Sequence, residues 1–297
     1  MKRLPYYSLI WVSFIVFLCT GCHPASQLSV SSPDGNLCLH VETENGKLYY
    51  ELSRNGKPIL DKSRLGFILK EDTLADHLEI TEALHHSFSG TWEQIWGEDR
   101  IVENNYHEMT IHVQETSAHK RKFNVVFRLF NDGFGFRYEF PEQEALKDFV
   151  IMDELTEFAL TNDHKAWSIP YEAHFYEALY KASPVSKLGW VSTPLTMETN
   201  DGLFLSIHEA NLTDYAAMNL IPKEGSMTLK ANLTPWSTGE KVFMKAPGVT
   251  PWRTMIVAES AGDLLLSRLM LNLNEPCRIQ DTSWIQPGRY IGIWWTY

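Results

Sequence analysis

Three tight-turn signals fall close together near the start of the chain, each between stretches that alternate apolar and polar residues. They are Ser32-Pro-Asp-Gly35, Glu44-Asn-Gly46 and Arg54-Asn-Gly56. A spacing of about ten residues between such turns is the signature of a β-sandwich. Asn-Gly is the strongest part of the signal, because the tight mirror-image hairpin turn needs positive φ at both central positions. The alternation assigns faces directly. Leu48, Tyr50 and Leu52 share one side, as do Phe123, Val125, Phe127 and Leu129, before Asn131-Asp-Gly133 turns the chain into Phe134-Gly-Phe-Arg-Tyr-Glu-Phe140.

The pattern loosens between Asp153 and Pro194, a stretch rich in Trp, Tyr and His. Strands return with Ser192-Thr-Pro-Leu-Thr-Met-Glu198, the turn Asn200-Asp-Gly202 and Leu203-Phe-Leu-Ser-Ile-His-Glu209. Two more follow near residues 226–229 and 252–259, and residues 263–271 read as one short helix. Linkers rich in Pro, Gly or Ser, solenoid repeats and low-complexity tracts do not occur. The expected architecture is mainly β: one large antiparallel sandwich over residues 28–276, then a connector. Hydrophobic content of 44% with 12% aromatics supplies an ample core.

Both ends carry further signals. Lys2 and Arg3 precede a short apolar run at residues 9–18, followed by Leu18-Cys-Thr-Gly-Cys22. The run is too short for a membrane span and fits an export signal. Residues 1–22 resemble a bacterial lipoprotein signal, which makes Cys22 the acylated residue of an exported, periplasmic protein held to the membrane only by its lipid. An ordinary secretory signal is the alternative. At the other end, Arg289-Tyr-Ile-Gly-Ile-Trp-Trp-Thr-Tyr297 is apolar on both faces, as strands inside parallel sheets are. It reads either as an edge strand of the sandwich or as the opening strand of a further domain.

The net charge is −11. Without Lys2 and Arg3, 24 basic residues face 37 acidic ones, a net of −13. Phosphate neutralisation needs clustered Lys and Arg, so nucleic acid is excluded as a partner. Cys38 and Cys277 are the cysteines left beyond the leader, either as a disulfide or as two free thiols. Nucleophile elbows, phosphate-binding glycine loops and His-Glu-x-x-His runs are absent.

Among the acids, Glu209 stands out. It shares parity with Leu203, Leu205 and Ile207, so alternation turns its carboxylate toward the apolar side. A desolvated carboxylate has to be paired, protonated or metal-bound. The plainer reading is a strand-end acid in solvent or in a salt bridge. Trp92-Glu-Gln-Ile-Trp-Gly-Glu-Asp-Arg100 offers two indoles beside three acids, either a sugar platform or core. The group His174, Tyr176, Glu177 and Tyr180 is either an exposed aromatic segment or a packed loop, and His85-His86 reads as solvated.

Several stretches, in order, resemble the N-terminal part of glycoside hydrolase family 97, the Bacteroidetes-type α-glucosidases and α-galactosidases. They are Ser32-Pro-Asp-Gly-Asn36, Thr91-Trp-Glu-Gln-Ile-Trp-Gly-Glu98 and Arg128-Leu-Phe-Asn-Asp-Gly-Phe-Gly-Phe-Arg-Tyr-Glu139. Thr193-Pro-Leu-Thr-Met-Glu198, Asp201-Gly-Leu-Phe-Leu-Ser-Ile-His-Glu-Ala210 with Asp214-Tyr215, and Arg289-Tyr-Ile-Gly-Ile-Trp-Trp295 continue the series. The resemblance implies a β-super-sandwich at residues 28–276, then a connector and the truncated first strand of a (β/α)8 barrel at 277–297. It implies a calcium-dependent exo-acting α-glycosidase on an α-linked oligosaccharide, with Glu209 as a metal ligand from the sandwich. Its catalytic acid and base belong to the barrel, so the 297-residue chain is expected to be inert. A non-catalytic carbohydrate-binding lipoprotein and a subunit docking on a separate barrel are the alternatives.

Overall fold

The computed structural model describes residues 28–94, 97–172, 177–286 and 288–292. The leader with Cys22, Trp96, residues 174–176 and residues 293–297 lie outside the described residues. Among the described residues, three antiparallel sheets account for the strands.

The first sheet begins with Ser29–Ser31 and runs into the hairpins read from the turn signals. Leu37–Glu44, Lys47–Arg54 and Lys57–Leu65 pair in succession, with Asn45 and Gly46 at φ 52 and 74 and Asn55 and Gly56 at φ 50 and 76. These are the positive φ values that the mirror-image turn requires. Glu157–Leu160, Thr228–Leu233, Met218–Pro222 and Val191–Ser192 extend it. The second and larger sheet runs from Lys181–Pro184 through Lys165–Ser168, Leu195–Glu198, Phe204–Ala210 and Trp252–Ala258. It continues through Gly133–Phe140 and Lys122–Phe130 to the long hairpin Ile101–Glu115 and Leu78–Glu93. A small sheet containing Asp148–Glu154 and Phe67–Leu69 closes one side.

The core lies between the two large sheets. Leu48, Tyr50 and Leu52 point inward from one, while Phe123, Val125, Phe127 and Leu129 point inward from the other, as the alternation predicts. Tyr50 bridges the layers, its ring centroid 5.2 Å from Phe136 and 6.1 Å from Phe127. The outer face of the larger sheet carries a second apolar cluster of Tyr106, Val126, Phe130 and Trp252, covered by Leu269 and Leu273. Gly133 makes the turn into this sheet at φ 151, where an added Cβ would lie 2.3 Å from the Met255 carbonyl oxygen. No other residue fits there.

Several expectations are corrected. Residues 263–271 form two helices, Ala261–Leu266 and Leu269–Asn272, because Ser267 is extended at ψ 135. The Ser267 hydroxyl donates to Asp132 at 2.6 Å and accepts from the Leu269 amide. This bonding to Asp132 and to the Leu269 amide replaces a helical turn and lets Leu269 drop onto Trp252. Met218–Pro222 and Val242–Lys245 are strands that the alternation missed, since Met218, Asn219 and Leu220 are buried in succession and the second is four residues long. Of the segment expected to open a further domain, residues 290–292 are described and stand apart from the sandwich sheets. Tyr290 and Ile291 are 91% and 99% exposed, and among the described residues no strand pairs with them. An extended segment becomes a strand only when a neighbour takes up its backbone N–H and C=O groups. Cys38 and the exposed Cys277 are not joined by a disulfide.

Candidate functional site

Phe204–Ala210 sits inside the larger sheet, between Leu195–Glu198 and Trp252–Ala258. Its inward positions are Leu205, Ile207 and Glu209, and the register sets Glu209 directly opposite Arg253. Both side chains therefore enter the space between the sheets. Glu209 is 8% exposed and Arg253 is fully buried. The carboxylate is turned inward as its parity predicts, and it is ion-paired there.

A third charge completes the group. Arg253 donates from Nε and Nη2 to the two oxygens of Glu154, at 2.8 and 2.7 Å, and from Nη1 to Glu209 Oε2 at 2.6 Å. Such a planar fork suits guanidinium and no other cation. Glu154 also accepts from Thr156 Oγ1 at 2.7 Å and Tyr215 Oη at 3.1 Å, while Tyr138 Oη lies 2.8 Å from Thr156 Oγ1. Glu209 Oε1 accepts from the Met218 backbone amide at 2.9 Å. Two carboxylates around one guanidinium leave a buried formal charge of −1.

The two acids respond oppositely to this setting. Burial pushes the Glu154 carboxyl up, but the Arg253 charge and the surrounding donors outweigh it and hold the group below its ordinary value. Burial dominates at Glu209, and the neighbouring Glu154 charge adds to it, so that carboxyl is raised despite Arg253 and the Met218 amide. Burial likewise raises the hydroxyls of Tyr138 and Tyr215, keeping them donors. On the opposite face of the strand, the His208 ring nitrogen Nδ1 lies 3.0 Å from Thr193 Oγ1, and burial lowers its pKa.

Beside this group the surface opens into a cleft of about 500 Å3. Tyr215 forms its inner wall, and the Arg253 guanidinium lies 5.5 Å from that ring. Trp236 and Phe243 stand at its rim, 63% and 61% exposed, with Asp214 and Lys241 beside them. Exposed aromatic rings next to charged groups suit a ligand with apolar C–H faces and hydroxyl edges.

The other sequence candidates do not converge here. Trp92 is 36% exposed, and its indole N–H donates to Asn272 at 2.9 Å, tying the long hairpin to the second helix. Glu98 and Asp99 pair with Arg268. His85 and His86 are exposed on the long hairpin, and Glu177 and Tyr180 are exposed. Among the described residues no three metal-binding side chains form a group. Sequence reasoning missed Arg253 and Glu154. Arg253 was findable by the same parity test, since it alternates with Met255 and Val257 on the inward side. Glu154 was not, because the ladder shifts register between Ile151 and Asp153 just before it.

His164, buried, and His208, half-buried, give a pH prediction. Burial holds His164 and His208 below the ordinary histidine value. The unfolded chain therefore binds protons there that the folded chain refuses. Their stabilising contribution is present above about pH 6.5 and is lost as pH falls through their folded values. Glu154 acts the same way lower down, its contribution present above 4.5 and lost as pH falls toward its depressed folded value. Glu209 has the opposite sign, losing its contribution as pH rises from 4.5 through its raised value. The melting temperature is expected to drop between about pH 7 and 5, and H164Q/H208Q to flatten that slope. An unchanged slope in the variant would refute the assignment.

Known proteins resemble this chain in sequence and fold. A 39% identical glycoside hydrolase family 97 enzyme from Pseudoalteromonas sp. strain K8, solved in complex with acarbose, superposes with a TM-score of 0.86 over 90% of this chain and 41% of its own. The retaining alpha-galactosidase of Bacteroides thetaiotaomicron is 26% identical over 99% of this chain and 47% of that protein. A probable retaining alpha-galactosidase from Streptomyces bingchenggensis is 27% identical over 89% of the chain and 40% of its own length. The chain thus spans less than half the length of the relatives it matches. The model of the glycosyl-hydrolase 97 N-terminal domain matches residues 30–276, and the chain belongs to that family.

Proposed function

We propose that the chain serves as the sandwich domain of a calcium-dependent, exo-acting α-glycosidase, with Glu209 as the carboxylate it contributes to the ion. The observation that carries this reading is the inward, fixed carboxylate of Glu209 in a buried group of net charge −1. Each Glu209 oxygen accepts one hydrogen bond and keeps a lone pair for a further partner. A hard anionic oxygen suits calcium, which takes six to eight such ligands. The residues fit one arm of such a site and not a whole one, since no group of three ligands exists among the described residues. The remaining oxygens and the acid and base of hydrolysis would come from the partner barrel domain. Calcium held there would polarise water or stabilise charge at the anomeric centre.

Within this chain, the residues position rather than react. Arg253 holds Glu209 in one rotamer from one side, and the Met218 amide holds it from the other. Tyr215, Trp236 and Phe243 present aromatic surface beside it for an α-linked oligosaccharide. Glu209 fixed this way loses little conformational entropy on meeting a cation.

The test compares the 297-residue chain and the full-length protein. The chain alone is expected to hydrolyse neither p-nitrophenyl α-glucoside nor the α-galactoside, and to bind calcium weakly by calorimetry. In the full-length protein, Glu209→Gln should weaken calcium binding by about tenfold or more, with activity restored in part by excess calcium. Calcium-dependent turnover by the isolated chain, or unchanged calcium affinity in E209Q, would overturn the proposal.

A further inference from the structure

A second cleft lies at the other end of the strand that carries Glu209. It is lined by Leu203, six residues before Glu209, which is about 20 Å at the rise of a β-strand. Its volume is about 620 Å3, within the range that holds small ligands. One wall is the Asn55-Gly56 hairpin turn, the second is the segment after Glu157–Leu160, and the third is the turn at Thr199–Leu203.

Three exposed side-chain amides line this cleft. The side-chain amides of Asn55, Asn162 and Asn200 make no hydrogen bond among the described residues, whereas those of Asn131, Asn232 and Asn272 are engaged. Their backbones, by contrast, are fixed. Thr199 Oγ1 donates to Asp201 at 2.7 Å and accepts from the Leu203 amide at 2.9 Å. Asp163, beside Asn162, accepts from both the amide and the hydroxyl of Ser186. The turns carrying Asn162 and Asn200 are held in place while their amides stay open to solvent or a ligand, which lowers the backbone entropy cost of binding.

Charge decides the ligand class. The lining cation Arg54 is paired with Glu259 outside the cleft, and the Lys57 charge acts on Asp201, so each lining cation faces a carboxylate. No unopposed cation is left to select an anion. Three planar amides with a carboxylate and an ammonium match the adjacent donors and acceptors of a vicinal diol. Pro58, Ile59 and Leu203 supply apolar surface for C–H faces. His164 lines the same wall, 3% exposed, with Nδ1 lacking any hydrogen-bond partner. Burial keeps the imidazole neutral near pH 7.

We propose that this cleft binds a short neutral oligosaccharide, giving the sandwich a saccharide site of its own. The site stands whether or not Glu209 meets an ion, because the two share no side chain. Its test is titration of panose, and separately melibiose, into the purified chain, followed by amide NMR shifts and calorimetry. Saturable binding is expected, with shifts centred on residues 54–59, 161–164 and 199–203. Asn162→Ala with Asn200→Ala should weaken it by roughly tenfold, as loss of two modest hydrogen bonds implies, with the melting temperature unchanged. Leu84→Ala, exposed on the long hairpin and part of neither cleft, should leave it intact, and sulfate should not compete. Absence of saturation, indifference to the double variant, loss through L84A, or displacement by sulfate would each overturn the proposal.

Discussion

Arg253→Ala is expected to destabilise the sandwich by about 3–5 kcal/mol, read as a fall in the denaturant midpoint. The size follows from what is left behind. Arg253 is fully buried and satisfies both oxygens of Glu154 and one of Glu209, so its removal strands two carboxylates between the sheets. Part of the loss should be relieved by protonation, so the variant is expected to become more stable as pH falls, opposite to the parent. Adding Glu154→Gln and Glu209→Gln to Arg253→Met removes the stranded charge and should recover much of the loss, because a neutral replacement of a buried ion group is often tolerated. An R253A protein as stable as the parent would mean that this group is not a buried charge network.

Tyr50→Ala should be of comparable size, about 3–5 kcal/mol, for a different reason. Its ring is fully buried and meets Phe127, Phe134 and Phe136 from the facing sheet. Truncation opens a cavity at the junction of the two layers, which rigid strands cannot collapse to fill. Tyr50→Phe keeps the packing and loses the hydrogen bond to the Glu157 carbonyl oxygen, 2.8 Å long, at a cost of about 1 kcal/mol. Near-equal losses for the two variants would place the weight on the hydroxyl and refute the packing argument.

The pair also shows which parts of the structure were legible beforehand. Tyr50 follows from period-two alternation between Asn-Gly turns, and its face needed no tertiary knowledge. The inward turn of Glu209 follows from the same rule along Phe204–Ala210. The alternation failed where both faces are covered, as at Met218–Pro222, or where a strand is four residues long, as at Val242–Lys245. The break at Ser267 was invisible because its cause, Asp132, lies 135 residues away.

From the residue order alone came the hairpins, the inward and outward faces and the family resemblance, because turn chemistry and alternation are local properties of a chain. What met Glu209 came only from the folded sheets. Arg253 is 44 positions from it and 99 from Glu154. Strand pairing sets the first distance, and closure of the small sheet against the larger one sets the second. A carboxylate's parity fixes where it points, while its charge state depends on partners that only the packed layers bring within hydrogen-bonding reach.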